Sequence, residues 1–279
     1  MIITTSDGVR LYCESEGEGT PIVFVHEFSG TCRSFDLQRA ALRKGHRCIS
    51  FNARGYPPSD VPPDVSLYSQ EIAARDIVAV MGGLGLPNAH LVGVSMGAAS
   101  SLQVALKHPN RVLSATLASI GTGSDAKPEE NHAGMEAMAK LIESQGTAGL
   151  AATLGNSPAR RRLKDRNPAE FTRFIDELKT LSVHGMANTM RGVQKKRPSI
   201  YADAEQLARL EVPVLILFGG DDAGCRGPSL FLQQTVPNAR LHEFPQTGHL
   251  VNLERADMFN DLVSRFLVEV GSKKCAPAG

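Results

Sequence analysis

Tryptophan is absent from the chain, and the five cysteines show neither a Cys-x-x-Cys pair nor a Cys/His ligand spacing. The usual sequence signatures of zinc sites and dithiol redox centres are therefore missing. An odd number of cysteines scattered along the chain indicates reduced thiols. On this basis we expect a cytoplasmic protein.

Long apolar runs and an excess of charge are also missing. No run is long enough to span a bilayer, and residues 1–8 lack the basic and apolar segments of a secretory signal peptide. The formal net charge is +1, which gives no electrostatic basis for binding nucleic acid or an anionic membrane. We therefore expect a small-molecule substrate and neither nucleic acid nor a membrane as a partner.

Apolar strand patterns alternate with helical patterns through most of the chain. A partly exposed strand is predicted at 9–14, and further strands are predicted at 22–25, 47–52, 91–94, 112–118, 212–218 and 239–244. The strands at 22–25 and 112–118 are predicted to be buried. Amphipathic helices separate several of these strands, and the last helix is predicted to end at residue 270. This alternation predicts an α/β fold with a mostly parallel sheet.

The middle of the chain lacks a convincing buried strand. Helical segments are predicted there at 134–145, 147–154, 158–165, 168–183 and 186–194. We predict a core formed by residues 1–121 and 211–270, interrupted by a helical cap at 122–210. Such a cap would cover the carboxyl edge of the sheet, where ligands bind in open parallel sheets. Residues 271–279 are predicted to form a flexible tail.

The segment Gly-Val-Ser-Met-Gly at 93–97 lies between an apolar strand and a helix of small residues. This arrangement is typical of a nucleophile elbow, a sharp strand-to-helix turn that exposes a serine. The serine backbone is strained there, and side chains two residues to either side would collide with the strand and the helix. The pattern therefore predicts Ser95 as a nucleophile.

A serine hydroxyl needs a base and a group that orients the base. The carboxylates of Asp221 and Asp222 follow the strand at 212–218, and His249 ends the loop after the strand at 239–244. Both positions lie at strand ends, where the side chains can meet Ser95. The alternative interpretation is that Asp222 caps a helix and His249 only begins one.

With these residues the chain resembles the α/β-hydrolase-fold family, in its branch of esterases, lactonases and carbon–carbon hydrolases. The resemblance covers nearly all of residues 1–270 and implies a mostly parallel eight-stranded sheet flanked by helices. The family order of serine, aspartate and histidine matches Ser95, Asp222 and His249. Its spacing favours Asp222 as the acid and leaves Asp221 as a turn residue.

The segment His26-Glu27-Phe28 lies where the family has His-Gly-x. The resemblance implies that the backbone N–H groups of Phe28 and Met96 form the oxyanion hole. A carboxylate facing the developing negative charge would oppose catalysis, so we expect Glu27 to point away or to pair with an arginine. The alternative is a hydrogen bond from Glu27 to substrate or water. His26 is expected to brace the loop, and His26, Glu27 and His184 are candidate pocket residues.

Two basic runs lie in the predicted cap, at 160–166 and 195–197. Such runs are usually solvated faces. The alternative is that they recruit an acidic substrate or a coenzyme A phosphate. No glycine-rich phosphate loop or metal-ligand cluster is visible, so we expect neither a cofactor nor a metal.

A serine at the elbow argues against haloalkane dehalogenases and epoxide hydrolases, which resemble this fold but use an aspartate nucleophile. The absence of tryptophan also removes the usual halide-binding donors. We therefore expect a serine hydrolase, a monomer or homodimer, that cleaves a small carboxylic ester, lactone or thioester through an acyl-enzyme. One alternative is a hydrolase of carbon–carbon bonds in vinylogous diketones. Another is a non-catalytic ligand receptor on the same fold.

Overall fold

A computed structural model describes residues 1–121 and 124–275, and eight of its strands form one sheet. The strands are β1 (Ile2–Thr4), β2 (Arg10–Glu16), β3 (Thr20–Val25), β4 (His46–Phe51), β5 (Ala89–Val94), β6 (Val112–Ala118), β7 (Val214–Gly219) and β8 (Ala239–Phe244). Their order is β1-β2-β4-β3-β5-β6-β7-β8. The pairs β1–β2 and β2–β4 are antiparallel and all others are parallel. The predicted mostly parallel eight-stranded sheet is confirmed.

Eleven α-helices are present in the described part of the chain. They are α1 (Asp36–Leu42), α2 (Gln70–Gly83), α3 (Met96–Lys107), α4 (His132–Gly155), α5 (Pro158–Arg166), α6 (Pro168–Lys179), α7 (Val183–Thr189), α8 (Ala204–Ala208), α9 (Ala223–Thr235), α10 (Val251–Glu254) and α11 (Ala256–Cys275). The predicted end at residue 270 is wrong, because α11 continues to Cys275. The rest of the predicted tail, 276–279, lies outside the described residues.

Apolar layers cover both faces of the sheet. In β3, Ile22 and Phe24 point into one layer, while Val23 and Val25 point into the other. Successive side chains of a strand alternate between faces, so a strand covered on both sides is continuously apolar. Helices α2, α3, α8 and α9 contribute to one layer, and α1 and α11 contribute to the other. This double burial explains why the sequence predicted the strands well.

Helices α4 to α8 lie between β6 and β7 and form a helical insert, defined here as residues 124–210. Residues 122–123 of the predicted cap lie outside the described residues. Gly146 interrupts α4 with φ 70° and ψ −174°, at the boundary predicted between two helical segments. The helix predicted over 168–183 ends earlier, because α6 stops at Lys179. The Ser182 side chain then accepts a hydrogen bond from the Gly185 N–H and caps α7.

None of the described helices is both long and apolar enough to cross a membrane. The thiols of Cys13, Cys32, Cys48 and Cys225 are buried, and none of these four forms a disulfide. The core therefore uses these cysteines as small packed side chains.

Candidate functional site

Ser95 occupies a sharp turn between β5 and α3. Its backbone has φ 53° and ψ −110°, a conformation that non-glycine residues rarely adopt. The Ser95 N–H donates a hydrogen bond of 2.7 Å to the Ala118 carbonyl at the end of β6. The strained turn is thus held by the neighbouring strand, and Ser95 stands at the carboxyl edge of the sheet.

The two glycines of the motif are required by close backbone contacts. A Cβ atom on Gly97 would lie 1.9 Å from the Val25 carbonyl oxygen. A Cβ atom on Gly93 would lie 2.4 Å from the carbonyl of Gly97. Both separations are far shorter than any real carbon contact, so no other residue fits without moving the backbone. As the motif predicts, side chains at positions 93 and 97 would collide with the neighbouring backbone.

His249 meets Asp222 rather than Asp221. The His249 Nδ1 atom lies 2.5 Å from Asp222 Oδ2, and both side chains are largely buried. Burial alone would raise the pKa of Asp222, but the hydrogen bond and charge of His249 outweigh it and leave that pKa below its ordinary value. Asp221 instead accepts a 2.7 Å hydrogen bond from Arg162 Nε at the surface.

The backbone of His249 is held from two sides. Its N–H donates to the Ala159 carbonyl at 3.1 Å, and its carbonyl accepts from Ser119 Oγ at 2.7 Å. Ser119 follows β6 directly and has φ 51°. Sequence reasoning missed both partners. Ser119 could have been suspected, because it follows a buried strand directly. The role of Ala159 could not be predicted, because its backbone carbonyl is present in every amino acid.

Glu254 binds the backbone of the loop that carries His249. Its Oε2 accepts a 2.9 Å hydrogen bond from the Gly248 N–H, next to His249. Its Oε1 is buried and has no hydrogen-bond partner in the described residues, and Arg166 Nη1 lies 4.0 Å from Oε2. Burial raises the pKa of Glu254 to about 7. This carboxyl therefore changes charge near neutral pH beside the histidine loop.

The elevated pKa of Glu254 predicts a pH-dependent stability. Its folded pKa of about 7 exceeds the ordinary value of 4.5, so the folded chain binds more protons between these values and loses stability as pH rises through 7. The loss is at most about 3 kcal/mol. Thermal unfolding from pH 5 to 8 should show Glu254→Gln flattening the curve, because glutamine is neutral throughout. The exposed Glu205→Gln is the matched control, and a Glu254→Gln curve parallel to wild type would contradict the prediction.

Two backbone donors are available beside Ser95. Met96 is the first residue of α3, and Phe28 lines the same cavity as Ser95. Among residues 1–121 and 124–275, neither N–H has a hydrogen-bond partner. The amide of Met96 also lies at the positive end of the helix dipole. These unpaired donors can stabilise negative charge on an oxygen bound next to Ser95.

His26 fixes the loop that carries Phe28. Its Nδ1–H donates to the Glu27 carbonyl at 2.7 Å, and its Nε2 accepts from the Ala53 N–H at 3.0 Å. Burial lowers the pKa of His26 to about 4, in agreement with a neutral ring that donates through one nitrogen and accepts through the other. Both nitrogens are engaged by the backbone, which fits the bracing role predicted for His26.

Glu27 does not adopt the left-handed backbone that favours glycine. Its Oε1 accepts a 3.1 Å hydrogen bond from Ser34 Oγ, while Oε2 is buried without a hydrogen-bond partner in the described chain. A Cβ atom on Gly30 would lie 2.2 Å from Glu27 Oε1, so Gly30 makes room for this side chain. Burial raises the pKa of Glu27, which favours the neutral carboxylic acid.

A cavity of about 380 Å³ brings these groups together. The sheet side contributes Glu27, Phe28, Ser95, Asp222 and His249, and the insert contributes Met135, Met138, Leu154, Arg160 and Met190, among others. The other two candidate pocket residues lie elsewhere. His26 lines a separate cavity together with Tyr56, and His184 is exposed with its Nε2 2.8 Å from the Pro63 carbonyl. Only Glu27 of the three candidates lines this cavity.

Asp222, Cys225 and His249 place potential metal-ligand atoms within 4.8 Å of one another. The 2.5 Å contact between His249 Nδ1 and Asp222 Oδ2 is too short for an ion between them, because a zinc ion would stand about 2 Å from each ligand. The Cys225 Sγ atom lies 3.8 Å from His249 Nδ1. The contact is that of a hydrogen-bonded acid and base, and we assign no metal to it.

Known proteins share this sequence pattern and fold. A family model described as alpha/beta hydrolase fold matches residues 20–256. The chain is 26% identical to 3-oxoadipate enol-lactonase 1 of Acinetobacter baylyi, over 97% of both chains. It is 28% identical to 2-hydroxymuconate semialdehyde hydrolase of Pseudomonas putida, over 94% of this chain and 92% of that protein. A solved esterase from Exiguobacterium antarcticum is 25% identical with a TM-score of 0.81, covering 95% of this chain and 98% of that one.

Proposed function

The chain belongs to the α/β-hydrolase-fold family, as its sequence predicted, and from this premise we propose that it is a serine hydrolase of small carboxylic esters or lactones. The observation that carries the proposal is the buried contact between His249 and Asp222 in a cavity lined by Ser95. A thioester presents the same carbonyl chemistry. A non-catalytic receptor would have no need for a strained serine that shares a cavity with an oriented histidine.

In the proposed reaction, Ser95 Oγ attacks the substrate carbonyl while His249 Nε2 accepts the hydroxyl proton. Asp222 holds Nδ1–H of the imidazole and stabilises the imidazolium that forms. The tetrahedral intermediate collapses as His249 gives the proton to the leaving alcohol, which leaves an acyl group on Ser95. His249 then takes a proton from water, the hydroxide attacks the acyl-enzyme, and Ser95 regains its proton as the acid departs.

We assign the oxyanion hole to the backbone N–H groups of Phe28 and Met96. Support comes from their lack of other partners in the described residues and from the position of Met96 at a helix N-terminus. Donors of this kind act on charge that develops only in the transition state. The loss of one such donor typically lowers turnover about 10²- to 10³-fold.

We also propose that the helical insert is a cap over this site. It supplies cavity walls through Met135, Leu154 and Arg160, and α5 reaches the His249 backbone through Ala159. A cap that excludes water strengthens the electrostatic interactions beneath it. The cytoplasmic location and the monomeric or dimeric state stay predictions.

A second candidate function is the hydrolysis of carbon–carbon bonds in vinylogous diketones. One relative, 28% identical, is named a 2-hydroxymuconate semialdehyde hydrolase, and the same three residues would serve that reaction. The family's carbon–carbon hydrolases carry a glycine-rich sequence after the first histidine of the oxyanion loop, whereas Glu27 occupies that place here. Ester hydrolysis is therefore the first proposal.

Covalent trapping tests the proposed function directly. We expect an activated phosphonate ester to inactivate the enzyme, with the added mass on the peptide that contains Ser95. Hydrolysis of p-nitrophenyl butyrate should fall in proportion to labelling. In parallel, a yellow ring-fission dienoate should keep its absorbance when incubated with the enzyme.

Two results would overturn this assignment. Label on a residue other than Ser95, with unchanged ester hydrolysis, would remove Ser95 as the nucleophile. Rapid bleaching of the dienoate without ester hydrolysis would transfer the same residues to carbon–carbon cleavage.

A further inference from the structure

The basic run in the insert separates into residues with different surroundings. Arg162 donates to Asp221 at 2.7 Å, and Arg166 Nη1 donates to the Gln246 carbonyl at 3.0 Å. Arg161 is exposed to solvent. Arg160 differs from all three, because only 7% of it is exposed and it lines the cavity of Ser95 and His249. The run is therefore not a uniform solvated face.

The guanidinium of Arg160 has no hydrogen-bonding or ionic partner within residues 1–121 and 124–275. Its Nε is buried without an acceptor, and no carboxylate stands within the 4.0 Å that defines an ion pair with it. The guanidinium carbon lies 5.7 Å from the centroid of the Phe174 ring. A buried charge in this state is unfavourable until an anion meets it.

The carboxyl groups that act on Arg160 are already committed elsewhere. Asp222 binds His249, Glu254 accepts from the Gly248 N–H, and Glu27 accepts from Ser34. Each exerts an attractive charge on Arg160, yet none is an ion-pair partner. Glu27 is moreover favoured in its neutral form by burial. The acceptor that would match the guanidinium must therefore enter the cavity from outside.

We propose that Arg160 binds a carboxylate of the substrate, so that the enzyme acts on esters or lactones that carry a negative charge. The inference rests on the proposed function for the position of the reacting carbonyl. A guanidinium suits this task because its planar donors bind both oxygens of a carboxylate at once. A cavity of about 380 Å³ confines both groups within one small molecule. Arg160 is here a specificity-determining residue, and Ser95 and His249 carry the chemistry.

Matched ester pairs test the proposal. Mono-p-nitrophenyl succinate and p-nitrophenyl butyrate have acyl chains of equal length and differ in the terminal carboxylate. The pair 4-acetoxybutanoate and butyl acetate moves the same difference to the alcohol. For at least one pair, wild-type enzyme should favour the anionic ester about 10- to 100-fold in kcat/KM, the range of one charged hydrogen-bonded contact. Arg160→Met should abolish the preference, because the loss in kcat/KM should fall mainly on the anionic ester of each pair.

The neighbouring Arg161→Met is the control, since it removes the same charge from the exposed face of the same helix. It should keep the preference for the anionic ester. Arg160→Lys should retain part of it, because an ammonium keeps the charge without the two parallel hydrogen bonds. Arg160→Met should unfold at or above the wild-type temperature, because an unpaired buried charge is replaced by an apolar side chain. A structural role for Arg160 would instead lower the unfolding temperature and slow all four esters equally.

A binding measurement keeps this proposal separate from the proposed function. Titration calorimetry with succinate on Ser95→Ala needs no turnover, and succinate should bind at least about tenfold more weakly when Arg160→Met is added. If wild type hydrolyses none of the esters while succinate binding still depends on Arg160, the proposed function fails and the carboxylate site stands. Equal rates within each ester pair, or equal succinate binding with and without Arg160, would overturn the carboxylate site.

Discussion

Ser95→Ala is expected to lower kcat for p-nitrophenyl butyrate by about 10⁴- to 10⁶-fold. The substitution removes the only atom that the proposed mechanism uses to form the acyl-enzyme. The unpaired N–H groups of Phe28 and Met96 stay in place, so substrate binding should change little and the loss should appear in kcat. Alanine has no worse access to the strained turn than serine, and thermal unfolding should confirm an intact fold.

Ser101→Ala is the matched control for this experiment. Ser101 lies on the same helix, α3, and its hydroxyl is buried without a partner in the described residues. Its removal should therefore leave turnover within about threefold of wild type and should not reduce stability. Equal loss in the two variants, or activity retained in Ser95→Ala, would contradict the assignment of Ser95.

Asp222→Asn is expected to lower kcat about 10³- to 10⁴-fold. An amide beside His249 Nδ1 favours the tautomer in which Nδ1 accepts and Nε2 carries the proton. The base then cannot take a proton from Ser95. The effect should be large because the contact is short, at 2.5 Å, and largely buried. The measurement is kcat with a neutral ester, so that the result does not depend on Arg160.

Asp221→Asn provides the comparison. Its carboxylate pairs with Arg162 at the surface, where 39% of the Asp221 side chain and 44% of the Arg162 side chain are exposed. Exposed ion pairs contribute at most about 1 kcal/mol to stability. Turnover should therefore fall less than about tenfold. A larger loss in Asp221→Asn than in Asp222→Asn would reassign the acid.

The sheet and the elbow could be predicted because each produces a recognisable pattern in a short stretch of sequence. Strands covered on both faces, such as β3 and β5, read as continuous apolar runs. Gly93 and Gly97 mark backbone contacts that exclude any side chain, and Gly146 marked the interruption of α4. In each case the cause is local, so the sequence alone carries it.

Elements held by tertiary contacts were harder to predict. The three-residue strand β1 is the edge strand of the sheet and pairs with β2, and it is too short for a periodic pattern. Helix α9 begins at Ala223 and continues through Pro228, although helices usually accept a proline only in their first turn. Burial of Cys225 and Ser229 in this helix shows that packing outweighs the missing N–H.

The site could be predicted in its proposed reacting residues but not in its surroundings. Strand ends indicated Asp222 and His249, whereas nothing indicated that Ser119 would bind the His249 carbonyl. Arg160 shared the spacing i, i+3 with Leu163, and both are buried on one face of α5. Because Arg160 belongs to a basic run, the sequence did not indicate that it would be buried on the same face as Leu163. The packing of α5 determines which arginine faces the cavity, and this packing could not be predicted from the sequence.

The hydrogen bond from the His249 N–H to the Ala159 carbonyl has a consequence for building chimeras. Its acceptor is a main-chain oxygen, so any amino acid at position 159 could supply it, provided that α5 follows the same path. An insert transplanted from a relative must reproduce that path in order to keep the His249 imidazole in its present position. A graft that alters the first turn of α5 should therefore slow turnover on every substrate, including those its new pocket binds well.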